Sequence, residues 1–197
     1  MAVSRVSGRK RAGEHRQARR AVKIASVVAL ALAVAGAALA KGDPWPGAQK
    51  KLSYPVYKPT NTAGLTLAGF VLQPCATGKD SSIFASYGRG SSPNGFGHFR
   101  GFMIGEGYPF QCSDFGDAGR VGTRTVNGVA ARVFAYCGPP GRKCTFADGV
   151  KHGYVLQWNQ PAPKTGTRHK RTLVTLISSK LTFVELLRVA AGLKQVT

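Results

Sequence analysis

Acid is what this chain is short of: 8 Asp and Glu stand against 28 Lys and Arg among 197 residues, a formal charge of +20. So few carboxylates leave little material for hydrolysis by a placed pair, as glycoside cleavage requires. Cysteine is scarce too. The closest two of the four, Cys137 and Cys144, are separated by the six residues GPPGRK, which disfavours the C-x2–4-C pairs of structural zinc and the C-x-x-C of a redox centre. No Gly-X-Y period, no sustained heptad and only one long apolar run occur, so collagen, coiled coil and polytopic membrane protein are excluded. H-E-x-x-H, the G-x-S-x-G elbow and the D-x-[DN]-x-[DN]-G calcium loop are all missing. Gly95-Phe96-Gly97-His98-Phe99-Arg100-Gly101 misses the G-x-G-x-x-G nucleotide pattern by one position.

What is there begins with an export signature. Residues 1–23 carry eight Lys and Arg against Glu14 alone, and Ile24 to Ala40 then runs seventeen residues without a charge. A basic stretch, an apolar stretch and small residues at its end form the layout of a secretory signal. Ala38-Leu39-Ala40 fits an A-x-A cleavage site, which would start the mature chain at Lys41. The same run is long enough to stay as an uncleaved anchor across ~30 Å of hydrocarbon. Either way positive charge holds the N-terminus inside, and residues 41–197 are expected outside: secreted after cleavage, otherwise tethered to the cytoplasmic membrane. Val22-Lys23-Ile24 after Arg19-Arg20 fits a twin-arginine signal poorly, and no cysteine follows the run to take a bacterial lipid.

The exported part keeps the basic character, with 20 Lys and Arg against 7 acids. Hydrophobic residues, 43% of the whole chain, suffice for one core and exclude disorder throughout. All four cysteines lie in this part, and an even number in an oxidising compartment predicts two disulfides. Three pairings are possible. The Gly138-Pro139-Pro140-Gly141 turn favours Cys137 with Cys144, which leaves Cys75 with Cys112.

Alternation and turn residues predict strands over 52–58, 65–72, 82–87 and 98–104. They also predict a hairpin over 123–137 about Asn127-Gly128, and a further pair at 153–158 and 172–178. After Ser178 the period changes. Thr182 and Glu185 read as a capping box, and Phe183, Leu186, Leu187, Ala190 and Leu193 recur at helical spacing, giving a helix over 183–193. The expected class is α+β: an antiparallel, curved sheet with the C-terminal helix packed on one face, in one exported domain, 41–197, behind a signal or anchor, 1–40.

The order of Tyr54-Pro55-Val56-Tyr57-Lys58-Pro59, a Gly-led strand at 64–71, Val126-Asn127-Gly128, Leu156-Gln157-Trp158 and a helix from Glu185 to Leu193 followed by Val196 resembles exported bacterial domains of unassigned function. The layout is similar to the curved-sheet folds of periplasmic lipoprotein carriers and sigma-factor regulators. Residues 52–60 and 126–196 carry the likeness; 75–122 do not. It implies a fold and an exported setting, and it brings no catalytic residues with it.

Three histidines remain in the exported part, His98, His152 and His169, none at i, i+4 from another. The acids Asp43, Asp80, Asp114, Asp117 and Asp148 show no ligand spacing, and Glu185 is taken by its cap. The densest charge is Lys164, Arg168, His169, Lys170 and Arg171, between two strands. It suits a grip on anionic lipid, wall polymer or an acidic protein partner, with nucleic acid disfavoured, against the plainer role of a solvated loop. Tyr87, Phe96, Phe99 and Phe102, near Arg89 and Arg100, read mostly as core. The expected function is therefore a non-enzymatic exported binding domain without cofactor or metal. The alternative is a hydrolase using His98 or His152 with Glu106 or another acid of 106–117. A third reading is a protein-interaction module.

Overall fold

A computed structural model describes residues 42–74, 80–89, 100–109, 116–138, 142–162 and 166–197. All of these fall in one compact unit, 38–197. The signal or anchor, Cys75, His98, Phe96, Phe99, Cys112, Asp114 and Lys164 lie outside the described residues, as does the side chain of Arg89.

In chain order the elements are α1 (Pro44–Gln49), β1 (Tyr57–Pro59), β2 (Thr66–Pro74), β3 (Ser81–Arg89), β4 (Arg100–Gly107), β5 (Ala118–Val126), β6 (Val129–Tyr136), α2 (Phe146–His152), β7 (Tyr154–Pro161), β8 (Arg171–Ser179), α3 (Phe183–Ala191) and β9 (Leu193–Gln195). Seven strands form one sheet in the order β2-β3-β4-β8-β7-β6-β5, antiparallel throughout, and β1 pairs with β9 in a two-stranded ribbon. The α+β class and antiparallel sheet expected from the sequence are present.

Alternation explains which face is buried. A single row crosses five strands, Ala85, Ile104, Leu176, Leu156 and Val133, each directly opposite the next and each fully buried. The neighbouring row is Ile83, Glu106, Val174 and Trp158. Above this face lie Trp45 of α1, Tyr54 and Val56 of the segment leading into β1, Tyr57 of β1 itself, and Leu186, Val189 and Ala190 of α3. Burying a large apolar side chain of this kind contributes about 1.5–3 kcal/mol, so the helices and the 43–60 strap are integral to the core.

Several local signals act as expected. Asn127 and Gly128 both take positive φ, 49° and 81°, as a type I′ hairpin requires. Thr182 and Glu185 form the capping box. The helix ends two residues short of the expected 193, however. Gly192 donates to the Arg188 carbonyl at 3.0 Å, and Leu193 leaves the helix to pair with Pro59. The expected strand over 52–58 is corrected to 57–59. The Gln49 side chain holds residues 49–56 in a loop, donating to the Tyr54 carbonyl at 3.1 Å and accepting from Val56 N–H at 2.8 Å.

One disulfide joins Cys137 and Cys144, with Cα atoms 5.2 Å apart and both residues buried. Closing so short a loop stabilises by about 2.5 kcal/mol in the chain-entropy view. The expected Cys75–Cys112 partner lies outside the described residues. Among the described residues no helix is long and apolar enough to cross a membrane.

Candidate functional site

The β7–β8 connection holds the described members of the basic cluster, and its backbone is pinned at several points. His169 N–H donates to the Ser53 carbonyl at 3.0 Å, and its ring stacks on Tyr108 with centroids 3.9 Å apart. Its carbonyl accepts from the Thr167 hydroxyl at 2.7 Å, while the Lys170 carbonyl accepts from Ala162 N–H at 2.9 Å. Strand β8 then starts at Arg171, and the Thr172 hydroxyl donates to the Pro55 carbonyl. His169 is thereby half-buried and anchors the turn through its backbone and its ring.

Arg168, Lys170 and Arg171 are exposed. The three ion pairs among the described residues are Lys58–Asp43 at 2.5 Å, Arg142–Asp148 at 2.5 Å and Arg100–Glu185, and none involves them. Those pairs consume three of the few acids. Asp80 accepts from the Ser53 hydroxyl, and Glu106 is sealed in the core. Among the described residues Arg168, Lys170 and Arg171 are therefore unpaired, and exposed anionic partners are attracted over roughly a Debye length of 8–10 Å.

The alternative histidine site fares differently. His152 is exposed, closes α2, and lines a pocket of about 240 Å³ with Tyr136, Ile177, Ser178 and Ser179. Among the described residues no carboxylate lines it. The Ser178 hydroxyl is held by the Tyr154 backbone, accepting from its N–H at 3.0 Å and donating to its carbonyl at 3.3 Å. Glu106 lies opposite Val174, four residues along β8 from Ser178, which is about 13 Å at strand spacing. His152 and Glu106 are therefore not brought together.

Glu106, the acid the sequence offers to a hydrolase, sits in the core instead. Its strand reads Phe102, Ile104, Glu106 on one face, and parity places the carboxylate in the core. Both carboxylate oxygens accept from the single Tyr57 N–H, at 3.2 and 3.1 Å, and the Tyr54 hydroxyl donates to its backbone carbonyl at 3.1 Å. Burial holds the Glu106 carboxyl well above the usual carboxylate range, against the smaller opposing pull of the Tyr57 N–H. Burial and the nearby Glu106 raise Tyr54 and Tyr57 as well.

The remaining acids have structural duties. Asp43 caps α1 through Trp45 N–H at 3.3 Å. The Thr145 hydroxyl and N–H, with Arg142, hold Asp148 down at about 2. The cap at Thr182, followed by Arg100, lowers Glu185. Asp117 is exposed. Among the described residues, no group of three or more His, Cys, Asp or Glu is disposed to hold a metal. Tyr87 and Phe102 stack at 4.8 Å within the core, where the sequence put them.

Comparison with known protein families, with curated proteins and with solved structures finds no match.

Proposed function

We propose that this chain is a non-enzymatic protein, exported or tethered at the outer face of the cytoplasmic membrane, that binds an anionic surface through its β7–β8 loop. One observation carries the reading: in the described part of the loop, whose backbone is held by Ser53 and Ala162 and whose His169 ring stacks on Tyr108, Arg168, Lys170 and Arg171 are exposed and take part in no ion pair among the described residues. A backbone that is already held has less freedom to lose on binding, which lowers the cost of association. The helix-covered face of the sheet is filled by Trp45, Tyr54, Tyr57 and Leu186, which favours binding on the surface over enclosure of an apolar ligand as in lipoprotein carriers.

The test replaces Arg168, Lys170 and Arg171 together by Ala in the full chain and titrates soluble polyphosphate as a probe. The affinity is expected to fall at least about tenfold, and the slope of log affinity against log salt to shrink by about 2. An unchanged affinity and slope would remove the loop from the account. The hydrolase alternative retains His152 and its pocket. Equal hydrolysis of a broad ester, amide and glycoside panel by wild type and His152→Ala would dismiss it.

A further inference from the structure

Two turns that are over a hundred residues apart in the chain meet at Ser53. The first is the loop closed by Gln49 and pinned by buried Leu52, which leaves Lys50 and Lys51 exposed. The second is the His169 turn, whose N–H reaches the Ser53 carbonyl. Lys51 is two residues from this junction and Lys50 three, while Arg168 and Lys170 flank it on the other side. At ~3.8 Å per Cα step the backbones of these four residues lie within about 20 Å of one another. A bilayer surface is much broader than that span, so one headgroup layer can meet all five cations, Arg171 included, each acting over its own Debye length. Asp80 is the acid at the junction, half-buried and engaged by the Ser53 hydroxyl.

Chain order adds a second argument. The uncharged run Ile24–Ala40 ends ten residues before Lys50, and the described chain enters the domain at Gly42, just ahead of α1. A basic cluster so close to a bilayer-seeking segment is the juxtamembrane arrangement that anionic lipids attract. Tethering makes each further contact intramolecular, so individually weak contacts add up.

We propose that Lys50, Lys51, Arg168, Lys170 and Arg171 form one site that seats on the headgroups of an anionic phospholipid bilayer. This rests on the surface-binding role of the β7–β8 loop and names its partner.

The experiment keeps the full chain intact, in lipid nanodiscs of phosphatidylcholine alone or mixed with phosphatidylglycerol. Lysines are acetylated with an amine-reactive ester and each site is read by mass spectrometry. Lys50, Lys51 and Lys170 are expected to label about fivefold more slowly on the anionic discs, with the difference erased by high salt. Exposed Lys151 and Lys194 serve as internal controls and should not change. Slowing of Lys170 without Lys50 and Lys51 would overturn the joint site and leave the loop's role standing. Protection of Lys170 by soluble polyphosphate but not by anionic discs would overturn the lipid assignment alone. Equal slowing of all five lysines would reduce the effect to unspecific attraction and overturn the site. No protection by either probe would bring down both the site and the loop's role.

Discussion

Replacing Glu106 by Gln is expected to flatten the pH dependence of stability and to make the protein more stable than wild type at neutral and alkaline pH. The sign follows from linkage. An acid whose pKa is higher folded than unfolded binds more protons in the folded state between the two values. Its contribution is therefore fully present below the unfolded value near 4.5 and is lost as pH rises toward the folded one. For one proton the loss is on the order of 1 kcal/mol per pH unit while the window lasts. Glu106 is fully buried in the row with Ile83, Val174 and Trp158, and a single backbone N–H faces its two oxygens. A charge there lacks the paired environment that makes burial tolerable. Gln keeps the shape and an oxygen for Tyr57 N–H without the ionisation. Urea unfolding from pH 5 to pH 9, followed by fluorescence of buried Trp45 and Trp158, reads the effect. Parallel wild-type and variant curves would show that Glu106 does not govern this dependence.

Gly153→Ala is expected to cost about 3 kcal/mol or more, through two separate mechanisms. The residue sits between α2 and β7 at φ 102°, ψ 159°, a region essentially confined to glycine. A Cβ there would lie 2.2 Å from the Ser178 carbonyl oxygen of β8, a backbone atom that cannot swing away. Strain alone costs about 1–3 kcal/mol, and displacing a central strand adds to it. Gly128→Ala is the control. Its φ is 81°, but nothing lies within 4 Å of its Cβ position, so it bears strain without a clash. A urea midpoint for Gly153→Ala no lower than that of Gly128→Ala, at equal m-value, would contradict the close approach of β7 to β8.

Where the sequence was legible, the signal was local and periodic. Asn127-Gly128, the β6 alternation and the Thr182–Glu185 box each specify their own geometry. The Cys137–Cys144 pairing followed from the turn between them. Elements set by tertiary contact were not legible. Helix α1 is six residues long and rich in Pro, and it holds because Trp45 and Ala48 dock in the core. Helix α2 does carry a local sign, the capping box of Thr145 and Asp148. The β1–β9 ribbon pairs segments from opposite ends of the domain, which no local pattern reports.

The candidate site divides the same way. Composition singled out the 164–171 charge, yet the anchoring role of His169 depends on Tyr108 and Ser53, distant in sequence. Lys50 and Lys51 carry no signal of their own in the sequence, because what brings their turn to that loop is the long-range His169–Ser53 hydrogen bond. Glu106 was readable: two residues past Ile104 and four past Phe102, its parity alone assigns it to the core face.

The most direct measurement for the surface-binding account is the affinity of the full chain for soluble polyphosphate across a salt series. The cations of this surface predict a straight fall of log affinity with log salt, about 10- to 50-fold between roughly 50 and 200 mM. Undetectable binding at low salt, or an affinity indifferent to salt, would contradict it.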